Sequence, residues 1–146
     1  PLWPLMPEDE LALFQLHCAS TPPQVRVGTG LTLEQWRDAQ DRPNRKASEM
    51  IIWDGSRIAG WISFDYREKI NSAQVLHRPE HPKVLRSLLA NACARPGDQS
   101  WLVPDYQEPV GTILLRQGLK EIGRYTMLIK TLAVPAVSRE YYLAEA

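Results

Sequence analysis

Apolar residues recur along the chain at the spacings that helices and strands require, three to four residues and two residues. The clearest stretch is 101–130. It predicts a buried strand at 101–103, a helix that opens at Glu108-Pro109, and a last strand at 125–130, which is dense in strand-forming residues. The helix presents one apolar stripe, formed by Val110, Ile113 and Leu114. Gly118 stands where a left-handed C-cap is expected.

Upstream, the pattern predicts a short strand at 2–5, a helix from 7 to about 20, and a second helix from 32 to about 40. The second helix opens with the spacing of a capping box and of a hydrophobic staple, formed by Thr32 with Gln35 and by Leu31 with Trp36. Residues 41–47 are polar and predict a loop.

The middle of the chain predicts a β-hairpin at 50–66 with an Asp-Gly turn. Gly60 lies inside its second strand and indicates a bulge or a close approach of another backbone. A further strand follows at 72–77, and then a helix that begins near Pro82 and is stopped by Arg95-Pro96-Gly97. The predicted order is strand, two helices, three antiparallel strands, helix, strand, helix, strand.

Composition limits the classes of function. The chain has 146 residues, 44% of them hydrophobic, which suits one domain with a real core. Lys+Arg and Asp+Glu are both 17, so the formal net charge is zero. The composition therefore gives no sign of the basic surface that a nucleic-acid partner requires. No apolar run has the length of a membrane span, and no signal peptide is recognisable. Cys18 and Cys93 are isolated, without metal-ligand spacing, which favours a reduced cytoplasmic protein and no metal site.

The stretch 101–130 and the order of elements resemble the GNAT superfamily of acetyl-CoA-dependent N-acetyltransferases. In that family a strand is followed by an Asn, a helix ending in Tyr-Glu-x-x-Gly-Phe, and a last strand. Counting back from Gly118, Gln107 stands at the Asn, Leu119 at the Phe, and Leu114 at the Tyr that protonates the departing thiolate in many members. The resemblance implies an α+β fold, a mixed and mostly antiparallel sheet with helices on both faces. It would occupy 1–146 as a single domain, or form one half of a longer or tandem protein.

The resemblance also implies an acetyl-CoA site after the fourth strand. There the family has a Gln/Arg-x-x-Gly-x-Gly/Ala loop, whose backbone N–H groups bind the pyrophosphate at a helix N-terminus. The matching segment 77–85 keeps the helix N-terminus and supplies cations but contains no glycine. Pro82 removes a donor, and an ordinary strand-to-helix turn is the alternative interpretation. The implied cofactor-binding residues are Leu76, Arg78, Lys83, Arg86 and Gln107.

Three residues are candidates for proton transfer. His77, near the end of the fourth strand, or Glu80 can serve as general base for an amine. Tyr106 follows the fifth strand, where the family's fourth and fifth strands splay apart, and can replace the missing Tyr as proton donor. The alternatives are a half-exposed histidine at a strand end and a turn in which Asp105 caps backbone groups.

Two functions follow from the resemblance. The first is transfer of an acetyl group from acetyl-CoA to an amine of a small molecule or protein, with the acceptor bound by the two N-terminal helices and the 41–47 loop. The second is a non-catalytic GNAT-like domain that binds a ligand or a partner; the glycine-free loop and Leu114 favour it. Either allows a homodimer or a second GNAT domain as partner, whereas nucleic acid and membrane are not expected.

Overall fold

The computed structural model describes residues 1–40, 47–67, 70–126 and 128. In this part of the chain, five strands form one sheet in the order β1-β2-β3-β4-β5, antiparallel except for the β4–β5 pair. The strands are β1 (Trp3–Pro4), β2 (Ala47–Asp54), β3 (Arg57–Arg67), β4 (Ile70–His77) and β5 (Ser100–Trp101). The helices are α1 (Glu10–Ser20), preceded by a 3-10 turn (Pro7–Asp9), α2 (Pro23–Thr29), α3 (Leu33–Ala39), α4 (Pro82–Cys93) and α5 (Glu108–Arg116).

The sheet separates two apolar cores, because successive residues of a strand point to opposite faces. On one face, Phe64 of β3 is buried with residues of α4 and α5. On the other face, Trp61 of β3 is buried with Leu16 of α1 and Trp36 of α3. The predicted α+β architecture, with a mixed, mostly antiparallel sheet and helices on both faces, is therefore confirmed. Leu114, at the position of the family's Tyr, is 4% exposed and packs in the α4–α5 core.

The sequence pattern does not predict helix α2. The run Ser20-Thr21-Pro22-Pro23 indicates only the end of α1. However, Pro23 is the first residue of α2, a position where the N–H that proline lacks would have no partner in any case. The same prolines that stop α1 therefore start the next helix.

Two predictions fall largely outside the described residues. Residues 41–46 of the predicted loop lie outside them, as do 127, 129 and 130 of the predicted last strand. Tyr125, Thr126 and Leu128 are described; they belong to no strand and are exposed. A strand needs a paired neighbour and usually a buried face, and Tyr125, at 87% exposed, has no buried face.

Gly60 lies beside a bulge, as the sequence indicated, and two side chains of α4 approach it closely. The β2–β3 register shifts between residues 52 and 53, which leaves Ala59 as the extra residue of β3. A Cβ atom on Gly60 would lie 2.5 Å from Cγ1 of Val84 and 2.7 Å from Cδ1 of Leu88. The absence of a side chain at Gly60 therefore lets α4 lie directly against the sheet.

The N-terminus of α3 is capped nearly as predicted. Thr32 Oγ1 accepts the Gln35 N–H at 3.2 Å, while Gln35 Oε1 accepts the N–H of Leu31 at 3.1 Å, one residue earlier than in a standard capping box. Leu31 remains 60% exposed. Trp36 packs instead against Phe14, with ring centroids 5.6 Å apart, so α3 is fixed by α1.

Gly118 ends α5 in the predicted manner. Its φ is +92°, and its N–H donates to the Leu115 carbonyl at 3.1 Å. The Leu119 N–H donates to the Leu114 carbonyl at 3.2 Å. These two bonds are those of a Schellman motif, which confirms the left-handed C-cap.

Two glycine-to-alanine changes in and after α5 are expected to have opposite effects. No atom lies within 4 Å of a Cβ placed on either Gly118 or Gly111, so only backbone conformation distinguishes them. Gly118→Ala should lower the free energy of unfolding by roughly 1 kcal/mol or more because of its positive φ. Gly111→Ala, inside the helix, should raise it by about 0.5–1 kcal/mol. Urea unfolding of both variants measures this, and equal signs would contradict the cap.

Candidate active site

The sheet opens between β4 and β5, because these strands pair over only two residues each. The last bond of their ladder joins the Leu102 N–H to the Ala73 carbonyl, at 3.3 Å. One step further, the Val75 carbonyl accepts from Nε2 of Gln107, at 3.2 Å, where a continuing strand would otherwise donate. The two strands therefore diverge beyond Ala73. We call the space beside Val75–His77 on this side the β4 gap.

Alternation along β4 decides which main-chain groups face the β4 gap. The carbonyls of Ala73 and Val75 bind on the β5 side, so the N–H groups of Val75 and His77 also point there. They have no hydrogen-bond partner in the described part of the chain. Leu76, a predicted cofactor-binding residue, pairs with Trp61 of β3 and directs its side chain into the α1–α3 core. The main-chain N–H groups that face the β4 gap are thus those of Val75 and His77, on either side of Leu76.

The turn between β4 and α4 has few N–H groups available for a phosphate. Two residues of the segment 79–84 are prolines without an N–H. The N–H groups of His81 and Val84 donate to carbonyls inside the turn, each at 3.0 Å. Within this described segment, only the N–H groups of Glu80 and Lys83 are left without a partner. The helix N-terminus is present, but most of its donors are absent or used.

The three predicted cations near this turn differ in their environment. Arg78 is 11% exposed; its Nε donates to the Ile58 carbonyl at 3.0 Å, and its guanidinium lies 3.8 Å from Glu80. Arg78 therefore holds the turn against β3. Lys83 and Arg86 are exposed on the first two turns of α4. These two are the predicted cofactor-binding cations that an anion in solution can reach.

The two predicted bases lie at the end of β4 and in the turn that follows it. His77 is half-buried, and its Nδ1 lies 3.0 Å from the Arg78 carbonyl, so the proton is on Nδ1 and the lone pair on Nε2. By the alternation of β4, its ring lies on the same face as Val75, the α4–α5 face. The Glu80 side chain is 57% exposed and faces Arg78.

Tyr106 follows Pro104-Asp105 in the loop between β5 and α5 and is half-buried. Burial raises the pKa of Tyr106, the nearby Thr21 side chain at the end of α1 opposes this, and the Asp105 carboxylate raises it further. The phenol is therefore protonated at neutral pH; its role as a replacement for the family's Tyr stays a prediction.

Sequence reasoning did not assign a role to the residues behind Tyr106. His17 of α1 is 9% exposed, with Nδ1 3.3 Å from Thr21 Oγ1 and Nε2 3.2 Å from Thr29 Oγ1. Burial, and secondly the charge of Arg26, lower the pKa of His17. The one available signal was a histidine among the apolar residues of a helix, which more often marks a structural side chain.

A small polar cavity of about 30 Å³ lies on the α1–α3 face of the sheet. Its lining residues are Gln40, Trp61, Ser63, Asp65, Ser72 and Gln74. Trp61 is 8% exposed, and its Nε1 has no hydrogen-bond partner among the described residues. The cavity has the size of about one water molecule, so it can take a single small polar group.

Comparison with known proteins identifies the fold. An acetyltransferase from Thermus thermophilus matches at a TM-score of 0.58 and 19% identity, over 82% of this chain and 86% of that one. AAC(6')-Iy, solved with the bisubstrate analogue CoA-S-monomethyl-acetylneamine, matches at 0.56 and 10%, over 90% and 97%. A ribosomal-protein-alanine N-acetyltransferase from Brucella melitensis biovar Abortus 2308 matches at 0.53 and 14%, over 90% and 98%.

No family model and no curated protein matches the chain. The identification of the chain as a GNAT-fold domain rests on its likeness to the solved structures. Separately, no helix within the described ranges is long and apolar enough to cross a membrane.

Proposed function

We propose that this GNAT-fold chain transfers an acetyl group from acetyl-CoA to an amine of a small molecule or protein. The main support is the β4 gap, into which the N–H groups of Val75 and His77 point. Main-chain donors in such a position can bind the amides of a pantetheine arm and stabilise the oxyanion that develops on a thioester carbonyl. Tyr106, protonated at neutral pH, lies in the loop that forms the other side of the gap.

In the proposed reaction the amine attacks the thioester carbon directly. The carbon–sulfur bond then breaks, and Tyr106 donates its hydroxyl proton to the sulfur. The proton that the acceptor nitrogen loses passes to a base, and Tyr106 regains a proton from solvent before the next turnover. Gln107 positions the loop by its bond to Val75. The acceptor would approach from the α1–α3 face, where the polar cavity lies. His77 and Glu80 remain the candidate bases.

A non-catalytic binding domain is the second candidate, and one observation favours it. The α4 N-terminus has lost most of the donors that a pyrophosphate requires, and the predicted cation Arg78 is bound to β3 and Glu80. A chain that binds coenzyme A poorly can keep the GNAT fold without having acetyltransferase activity.

Acetyl-CoA is expected to bind weakly, with a Kd of about 0.1 mM or above, equivalent to roughly −5.5 kcal/mol. Lys83→Glu should weaken binding by about tenfold, since it replaces attraction of the phosphates by repulsion beside a helix N-terminus. Isothermal titration calorimetry measures both values. Lys120→Glu, the same change at an exposed position after α5, is the control and should leave the Kd unchanged.

The outcomes separate the two candidates. Weak binding that Lys83→Glu reduces, together with release of the CoA thiol when amines are added, supports the enzyme. Micromolar binding that is indifferent to Lys83→Glu would show that the phosphates bind elsewhere. Absence of binding at millimolar acetyl-CoA would favour the non-catalytic domain.

The remaining assignments are also proposals. Cys18 and Cys93 are both free thiols, which supports the inferred cytoplasmic location. The described residues share one sheet with helices on both faces, which supports a single domain over 1–146. Association with a second copy, or with a second GNAT domain, would add to this unit without changing it.

A further inference from the structure

Polar side chains interrupt the apolar α1–α3 face of the sheet. Along β3, Trp61 is buried in the α1–α3 core, and the next two residues on the same face are Ser63 and Asp65. Ser63 pairs with Glu49 of β2 on one side and with Gln74 of β4 on the other. Directly paired residues of antiparallel strands point to the same face. Glu49, Ser63 and Gln74 therefore form one row across the sheet beside Trp61, which we call the polar row.

Two buried polar atoms in this region have no hydrogen-bond partner within the described ranges. They are Nε1 of Trp61 and Oε1 of Glu49. Burying a donor or an acceptor without a partner is costly, so such atoms call for a bound group that completes them. Trp61 and Ser63, which is 6% exposed, also line the polar cavity of about 30 Å³. Glu49 adjoins this cavity through its pairing with Ser63.

The two unpartnered atoms have opposite hydrogen-bonding roles, because an indole N–H can only donate and a carboxylate oxygen can only accept. An ammonium group has no lone pair and would satisfy only Glu49. A carboxylate would satisfy only Trp61 and would be repelled by Glu49. A hydroxyl both donates and accepts, and Ser63 and Gln74 offer it further acceptors. It is also about as large as a water molecule, which is what this cavity can hold.

The cavity lies next to the β4 gap. Gln74 lines the cavity, and Val75, the next residue of β4, directs its N–H into the gap. Successive residues of a strand are about 3.3 Å apart, so Val75 and His77 lie roughly 3–10 Å along β4 from Gln74. A ligand only a few atoms long can therefore reach from the cavity to the place where the gap would hold a thioester.

We propose that the cavity holds a hydroxyl group of the acetyl acceptor, so that the preferred acceptors are small amines with a hydroxyl a few atoms from the nitrogen. This inference deepens the proposed function and rests on it. In the complex, Nε1–H of Trp61 donates to the hydroxyl oxygen, and the hydroxyl donates to an oxygen of the polar row. Trp61 and Glu49 then determine specificity without taking part in the breaking or forming of bonds.

Acceptors of similar size test the proposal. In 3-amino-1-propanol a hydroxyl takes the place of the terminal methyl group of butylamine. The wild-type kcat/KM, corrected for the fraction of neutral amine, should favour the amino alcohol by about tenfold or more, the value of one to two buried hydrogen bonds. A ratio near one would overturn the proposal. So would a preference for β-alanine, which has a carboxylate in place of the hydroxymethyl group.

Trp61→Phe removes the indole N–H and keeps an aromatic ring in the core. The variant should lower the preference for the amino alcohol by about tenfold. Because the ratio is measured within one variant, a loss of folded protein affects both acceptors equally. Trp53→Phe is the matched control, since Trp53 is half-buried against the same core and is not among the lining residues of the cavity. It should keep the wild-type ratio, and an unchanged ratio in Trp61→Phe would contradict the role of the indole.

Binding can also be observed without turnover. In ¹H–¹⁵N NMR spectra, the indole signal of Trp61 is identified by its absence in Trp61→Phe. Addition of 3-amino-1-propanol should shift this signal, whereas butylamine at the same concentration should leave it in place. If the chain acetylates both amines equally and the signal does not move, the hydroxyl site is wrong and the proposed function stands.

A chain that acetylates no amine would contradict the proposed function, and the NMR titration then decides on the cavity alone. A shift of the Trp61 signal by the amino alcohol and not by butylamine would support a hydroxyl-binding site. No shift, or the same shift with both amines, would overturn it.

Discussion

Tyr106→Phe is expected to lower the kcat of acetyl transfer by about 100-fold or more, the loss typical of one proton-transfer group. Phenylalanine keeps the half-buried ring and removes the hydroxyl that would protonate the sulfur. Burial raises the pKa of Tyr106, so in the wild type the donor is protonated below that raised pKa. The wild-type kcat should then decline as the pH rises through it. Release of the CoA thiol, followed across pH, measures both effects.

Tyr66→Phe provides the matched control. This variant removes one hydrogen bond, because the Tyr66 hydroxyl accepts from Arg95 at 3.1 Å. Tyr66 lies near the opposite end of β3 from the turn into α4. The kcat of Tyr66→Phe should therefore stay near that of the wild type. Equal losses in the two variants would indicate a general effect of removing a phenol hydroxyl. No loss in Tyr106→Phe would leave Tyr106 as a residue of the turn after Pro104.

Phe64→Ala is expected to lower the free energy of unfolding by about 3–5 kcal/mol, because it opens a cavity in a closely packed core. Phe64 is 2% exposed in the core below α4 and α5. The Arg95 guanidinium also lies 3.9 Å from its ring centroid, a contact that alanine cannot make. Chemical denaturation followed by tryptophan fluorescence measures the loss.

Phe64→Leu is the companion variant. It retains most of the apolar volume, so its loss should be about 1.5 kcal/mol or less. A loss below roughly 1 kcal/mol in Phe64→Ala would contradict the burial of this ring, since truncating a buried phenylalanine rarely costs so little.

Elements whose signals are local were predictable from the sequence. The C-cap at Gly118 needs only a positive φ after an apolar stripe, and the hairpin needs only Asp-Gly between two strands. The role of Gly60 was predictable because a glycine inside a strand usually marks a bulge or a close backbone approach. For the cap and the hairpin, the residues that determine the structure are neighbours in the sequence.

Features that depend on distant contacts were not predictable. The bond from Gln107 to Val75 joins residues 32 positions apart, and Tyr106 of the loop after β5 comes near Thr21 at the end of α1. Nothing near Thr21 in the sequence indicates that Tyr106 will approach it. The sequence correctly identified the glycine-free turn after β4, but it did not show that Arg78 binds the Ile58 carbonyl.

The Gln107 side chain has a consequence for the speed of ligand entry. Because its amide, rather than a neighbouring strand, satisfies the Val75 carbonyl, the sheet is already parted where a pantetheine arm would insert. An incoming amide competes with one side-chain hydrogen bond. The amide does not have to break a series of backbone hydrogen bonds between two strands. If the chain binds coenzyme A as proposed, the residence time of the ligand would depend mainly on how firmly the turn at α4, with its few free N–H groups, holds the phosphates.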